Sequence, residues 1–170
     1  GARCRTAVSL VDGFPTLLNA GGIDRGSVDL DGVDLAGVAS GGNTGRNVYS
    51  QLGQKEKAIY MVVNKDWKYV YSAGDLKEFF FDRRRDPCEA KNLARALSAR
   101  KAKSTMKRDL LAYLQKVGAK EAYVIGKRGA DWRKYPRIDE TCLRDPDARL
   151  LFQDYPSYPT NLPGYTDGKK

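Results

Sequence analysis

Between residues 47 and 82, apolar and polar positions alternate in short runs separated by turn residues. Val48–Leu52 is one run and Ala58–Val63 the next, with Ile59, Met61 and Val63 on one face. In Trp67–Ser72, Trp67, Tyr69 and Tyr71 alternate with Lys68, Val70 and Ser72, and Glu78–Asp82 is a fourth run. Asn64-Lys65-Asp66 and Ala73-Gly74-Asp75 supply turns between them. Period-two alternation in short runs with such punctuation predicts an antiparallel meander. The aromatic alternation resembles a base-stacking platform, but aromatics on one face of an antiparallel sheet ordinarily form a core beneath a covering helix.

The period then lengthens. Met106, Leu110, Leu114 and Val117, flanked by Leu111 and Tyr113, recur at three- and four-residue spacing and predict a helix from about Ser98 to Val117. Lys101, Lys103, Lys107 and Arg108 fall mostly on its other faces, as on a solvated basic surface, and Gly118 fits its end. Upstream, Asp86-Pro87 stops the strands, and Glu89–Leu93 is expected to begin a helical stretch. Nearer the start, residues 13–20 predict a short helix. Asp12 is its N-cap, Pro15 lies in its first turn, Phe14, Leu17 and Leu18 face a core, and Gly21 and Gly22 end it. Residues 23–46 read as loop. After Gly118, Tyr123-Val124-Ile125 is a short strand candidate, and the proline- and tyrosine-bearing remainder reads as an extended tail.

The fold class is therefore α+β, a small antiparallel four-stranded sheet packed on a long amphipathic helix. The expected divisions are 1–46, 47–117 and 118–170. A length of 170 residues suits one domain, and 41% hydrophobic with 30% charged residues excludes a disordered chain. No stretch is apolar for long enough to span a bilayer. A chain that opens on Gly1, without methionine, is expected to be a fragment, a processed product or a trimmed one.

Chemistry narrows the picture further. There is no histidine, which removes the commonest general base and metal ligand. Cys4, Cys88 and Cys142 are far apart and form no CxxC pair; one disulfide with a spare thiol and three free thiols both remain open. Asp29, Asp31 and Asp34 lack the spacing of a calcium loop and read as turn-forming residues. A net charge of +9 suits a polyanionic partner, or simply a wet basic face. No complete active site is legible.

Three stretches, in order, resemble the sulfatase family. Val8-Ser9-Leu10-Val11-Asp12-Gly13-Phe14-Pro15-Thr16-Leu17-Leu18 is similar to the family's strand, aspartate and Pro-Thr-Leu-Leu helix. Asp31-Gly32-Val33-Asp34-Leu35 is similar to its Asp-Gly-x-Ser/Asp-Leu stretch. Asp66-Trp67-Lys68-Tyr69-Val70-Tyr71, followed by Phe79-Phe80-Phe81-Asp82 and Asp86-Pro87-Cys88-Glu89-Ala90-Lys91-Asn92-Leu93, resembles its last strands and a strand-to-helix corner. Cys88 stands where the family commonly has glycine. The aspartate before Pro87 favours a turn, and a glutamate at a helix start gains from the dipole by about 0.3–1 kcal/mol.

The resemblance covers residues 3 to about 117 and implies the C-terminal portion of an alkaline-phosphatase-like hydrolase. Residues 1–46 would then be the end of the catalytic-domain region, and 47–117 the C-terminal subdomain. It implies hydrolysis of sulfate esters or sulfamates through a formylglycine made within Cys/Ser-x-Pro-x-Arg, beside a calcium ion. None of the three cysteines is followed by x-Pro-x-Arg, and Ser157-Tyr158-Pro159-Thr160-Asn161 has asparagine where arginine is required. Neither catalytic nor metal-ligating residues are therefore assigned, and the chain alone is expected to be inactive. Gln51, Gln54, Lys55 and Lys57, after the first predicted strand, are candidates to touch a sulfated substrate at the rim of a cleft. The implied partners are an N-terminal catalytic domain and a sulfated small molecule or glycan, with nucleic acid not expected. The implied location is secreted, periplasmic or lysosomal. The competing readings are a basic module that binds nucleic acid or sulfated glycan, and a degenerate sulfatase-like structural protein.

Overall fold

A computed structural model describes residues 4–24, 26–42 and 45–136. Strands β1 (Val48–Leu52), β2 (Ile59–Val63), β3 (Trp67–Ser72) and β4 (Lys77–Asp82) pair in sequence order, all antiparallel. The register aligns Tyr49, Val62, Tyr69 and Phe80 in one row and Gln51, Tyr60, Tyr71 and Glu78 in the next. Both rows lie on one face, because side chains two apart along a strand point the same way.

Helix α3 (Arg100–Lys116) covers that face with Met106, Leu110, Leu111 and Leu114. Gly118, at φ 75°, ends it in a Schellman pair, with Ala119 N–H on the Leu114 carbonyl and Gly118 N–H on that of Gln115. Val117, expected in the apolar stripe, is instead the exposed C-cap. The aromatic face is a core. Tyr60, Tyr69 and Phe80 are almost fully buried in it, and Trp67 stacks on Phe80 at 5.0 Å.

After Gly118 the strand expected at Tyr123-Val124-Ile125 is present, and a second strand follows it. Strands β5 (Tyr123–Gly126) and β6 (Gly129–Trp132) form a hairpin that turns through Lys127-Arg128 and enters β6 at Gly129, φ 100°. The hairpin drives Trp132 into the core. Its ring stacks on Tyr71 at 4.2 Å and on Tyr60 at 5.5 Å, and its Nε1–H donates to the Tyr69 hydroxyl at 2.8 Å. Cys142, Ser157 and the prolines beyond Pro136 lie outside the described residues.

Residues 89–96 form no helix, contrary to the sequence expectation; α3 begins only after a 3-10 turn at Leu97–Ala99. The reason is local competition from Asn92. Its Oδ1 accepts the Phe80 N–H at 3.0 Å and its Nδ2 donates to the Glu78 carbonyl at 3.3 Å, while Leu93 N–H reaches the Phe80 carbonyl at 2.7 Å. The segment therefore closes the outer edge of β4, where an open ladder would otherwise invite pairing. Glu89 is thus not at a helix start. At φ 55° it pairs with Lys68 and Arg83.

The N-terminal stretch contains a 3-10 turn (Leu10–Asp12), helix α1 (Gly13–Ala20) and a short helix α2 (Leu35–Ala39). Helix α2 lies where loop was expected. Asp34 caps it by accepting the Ala36 and Gly37 N–H groups at 3.0 and 3.4 Å. Helix α1 ends in a second Schellman pair, with Gly22 at φ 64°. Pro15 is buried, but Phe14 and Leu17, expected to face a core, are 59% and 71% exposed. The 3-10 turn brings Leu10 to 98% exposure.

Candidate functional site

The best-organised polar centre among the described residues is built around Asp12. The residue sits at the N-cap position of α1, but its carboxylate does not cap that helix. It turns back to accept the Ser9 N–H at 2.7 Å and across to accept the Val33 N–H at 3.0 Å. Arg46 grips both oxygens, Nη1 to Oδ2 at 2.9 Å and Nη2 to Oδ1 at 3.1 Å. Burial pushes the Asp12 carboxyl up, but the Arg46 guanidinium and the two backbone donors outweigh it and hold the group below the usual carboxylate range.

Thr16 extends the network. Its hydroxyl donates to the Asp12 carbonyl at 2.6 Å and accepts the Leu35 N–H at 2.9 Å. Gly32 is required by close approach, since a Cβ there would stand 2.1 Å from the Val11 carbonyl oxygen. The Asp12 stretch and the Asp31–Leu35 stretch, far apart in sequence, are therefore one structural unit. Beside it lies an open cleft of about 650 Å³, lined by Pro15, Leu18, Ile23, Val33 and Asp34 among others.

That unit ties the chain together through hydrogen bonds and one ion pair. Asp34 is engaged as a cap and accepts Asn19 Nδ2 at 2.9 Å, while Asp29 and Asp31 point outward, exposed. Among the described residues no three of His, Cys, Asp and Glu gather to hold a metal ion. Cys4 and Cys88 are exposed free thiols.

Gln51 lies near the end of β1, and Gln54, Lys55 and Lys57 occupy the β1–β2 connection, where Lys55–Lys57 makes a 3-10 turn. Gln51, Gln54 and Lys55 are exposed and Lys57 is half-buried. The loop is tightly made. Gly53, at φ 70°, lies where a Cβ would meet the Lys57 carbonyl oxygen at 2.6 Å, and Gln51 Nε2 donates to the Gly53 carbonyl at 2.9 Å. Lys55 adopts φ 53°, uncommon for a side-chain-bearing residue. None of the four lines the described cleft.

Part of the basic face of α3 is also occupied. Glu78 accepts from Tyr69 at 2.8 Å and from Lys103 at 2.7 Å, and Lys107 lies 3.5 Å from it and 2.7 Å from Asp131. Burial raises the Glu78 carboxyl, but the lysines and the tyrosine hydroxyl hold it below its ordinary value. Burial pushes the Tyr71 hydroxyl up to about 12. Sequence reasoning missed the Asp12–Arg46 pair and Trp132. No spacing rule links residues 34 positions apart, and a lone tryptophan in a polar stretch gives no periodic signal.

No family model and no curated protein matches the chain. Solved structures do. A protein in complex with its substrate, D-glucosamine-2-N,6-O-disulfate, superposes with a TM-score of 0.52 at 19% identity, covering 63% of this chain and 24% of its own. A 2-O GAG sulfatase gives 0.53 at 24% identity, over 63% of this chain and 24% of its own. A protein from Bacteroides thetaiotaomicron VPI-5482 assigned as a sulfatase gives 0.53 at 23% identity, over 74% of this chain and 27% of its own. The chain thus spans only 24–27% of the length of these structures. The α+β unit described above has the fold of part of a sulfatase, and it fits a C-terminal portion of one.

Proposed function

We propose that this chain is the C-terminal portion of a sulfatase whose whole protein hydrolyses sulfate esters or sulfamates. The observation that carries the reading is the shared sheet-and-helix fold, supported by the three ordered stretches that resemble the family. In this reading the nucleophile, calcium and proton-transfer groups belong to an N-terminal catalytic domain. The present residues form the packed end that supports it, and the chain alone is inactive. The exposed apolar side chains of the 3-10 turn and α1 meet that domain. The β1–β2 loop reaches the rim of its cleft, so that Gln51, Gln54, Lys55 and Lys57 contact a sulfated small molecule or glycan. The location is an extracytoplasmic one, secreted, periplasmic or lysosomal. No helix among the described residues is long and apolar enough to cross a membrane.

The test is the reading frame that encodes residues 1–170 and what flanks it. It is expected to encode Cys/Ser-x-Pro-x-Arg upstream, and its complete product to release sulfate from 4-nitrophenyl sulfate or a sulfated glucosamine. Residues 1–170 alone should release none. A flanking frame without that motif, and an inert complete product, would replace this reading with a degenerate sulfatase-like structural protein.

The net charge of +9 favours a basic binding module as the second reading. The ion pairs of Lys103 and Lys107 occupy part of the basic face of α3, so that face is not itself a free polyanion surface, although the net charge remains. Heparin binding that weakens steeply with added salt would support the module, through counterion release. No binding at low salt would remove it.

A further inference from the structure

We draw no further inference here: the strongest candidate, the exposed apolar surface of Leu10, Phe14 and Leu17 on the first 3-10 turn and α1, is already assigned to the rest of the proposed protein, and nothing among the described residues shows any other occupant.

Discussion

Asp12 shows how one residue can carry several joints at once. Its side chain is fully buried, so the carboxylate has no water to fall back on if Arg46 is lost, while Arg46, 15% exposed, keeps some. Asp12→Asn is therefore expected to destabilise the N-terminal stretch by about 1.5–3 kcal/mol, the usual loss for hydrogen bonds to a charged group. The readout is hydrogen exchange at the Ser9 and Val33 amides, and unchanged protection there would refute the role. Acid should act in the same direction. The folded carboxyl titrates below its unfolded value, so its stabilisation is complete above about pH 4, the ordinary aspartate range. It is lost as pH falls further, through the depressed folded value. Urea melts at pH 7, 4 and 3 should show the decline below pH 4, steeper than in Asp12→Asn. Lys55 calls for a kinetic readout in the complete protein. If its ammonium touches a substrate sulfate, Lys55→Ala should raise KM about tenfold, in line with a charge-assisted hydrogen bond of about 1.5 kcal/mol. The rate constant kcat should stay within about twofold, and an unchanged KM would remove Lys55 from the rim.

At the scale of elements, legibility followed periodicity. The four strands and α3 were readable because their apolar positions repeat every second or every third to fourth residue against a single core. In the segment at 89–96, Glu, Ala, Lys and Leu favour helix, but a tertiary contact, the Asn92 amide on β4, overrides that preference. The β5–β6 hairpin was only half seen. Its strands are four residues each, and Val124 and Ile125 face outward, so no buried stripe announces it. Yet Trp132 completes the core that α3 and the sheet begin. Trp132→Ala removes a ring stacked on Tyr71 and Tyr60 and deprives the Tyr69 hydroxyl of its donor. A loss of about 3–5 kcal/mol is expected in chemical denaturation. A chain ending at Gly118 should be impaired at least as much, because it loses the same ring with the rest of the hairpin. If that shorter chain melts like the complete one, the hairpin is peripheral after all. The candidate site was legible only as loop composition: nothing in residues 51–57 foretold the left-handed Lys55 or the constraint at Gly53.

At the scale of the whole molecule, the two ends of the described chain differ in how they manage apolar surface. The helix-facing side of the sheet is closed by α3 and Trp132. The first 3-10 turn and α1 leave Leu10, Val11, Phe14 and Leu17 exposed within a short stretch, with Val8 before them and Ile23 and Val28 following. Single exposed apolar residues are ordinary on protein surfaces, but a cluster of this kind marks a contact surface. The Asp12–Arg46 pair and Gly32 hold this stretch in a defined shape, so the apolar side chains are presented rather than hidden by local collapse. Without a partner, that surface should drive chains together. Residues 1–170 are expected to sediment as concentration-dependent oligomers. Leu10→Ser, Phe14→Ser and Leu17→Ser combined should shift the distribution to monomer. The melt of the sheet should change little, because all three side chains are already solvent-facing in the single chain. A wild-type chain that sediments as a monomer and melts in one sharp transition would show that the surface needs no cover, and would count against a lost neighbouring domain. Association that persists in the triple variant would move the contact elsewhere. The half-buried Met61 and Phe79, which flank the buried Val70 across the opposite face of the sheet, would be the next side chains to change.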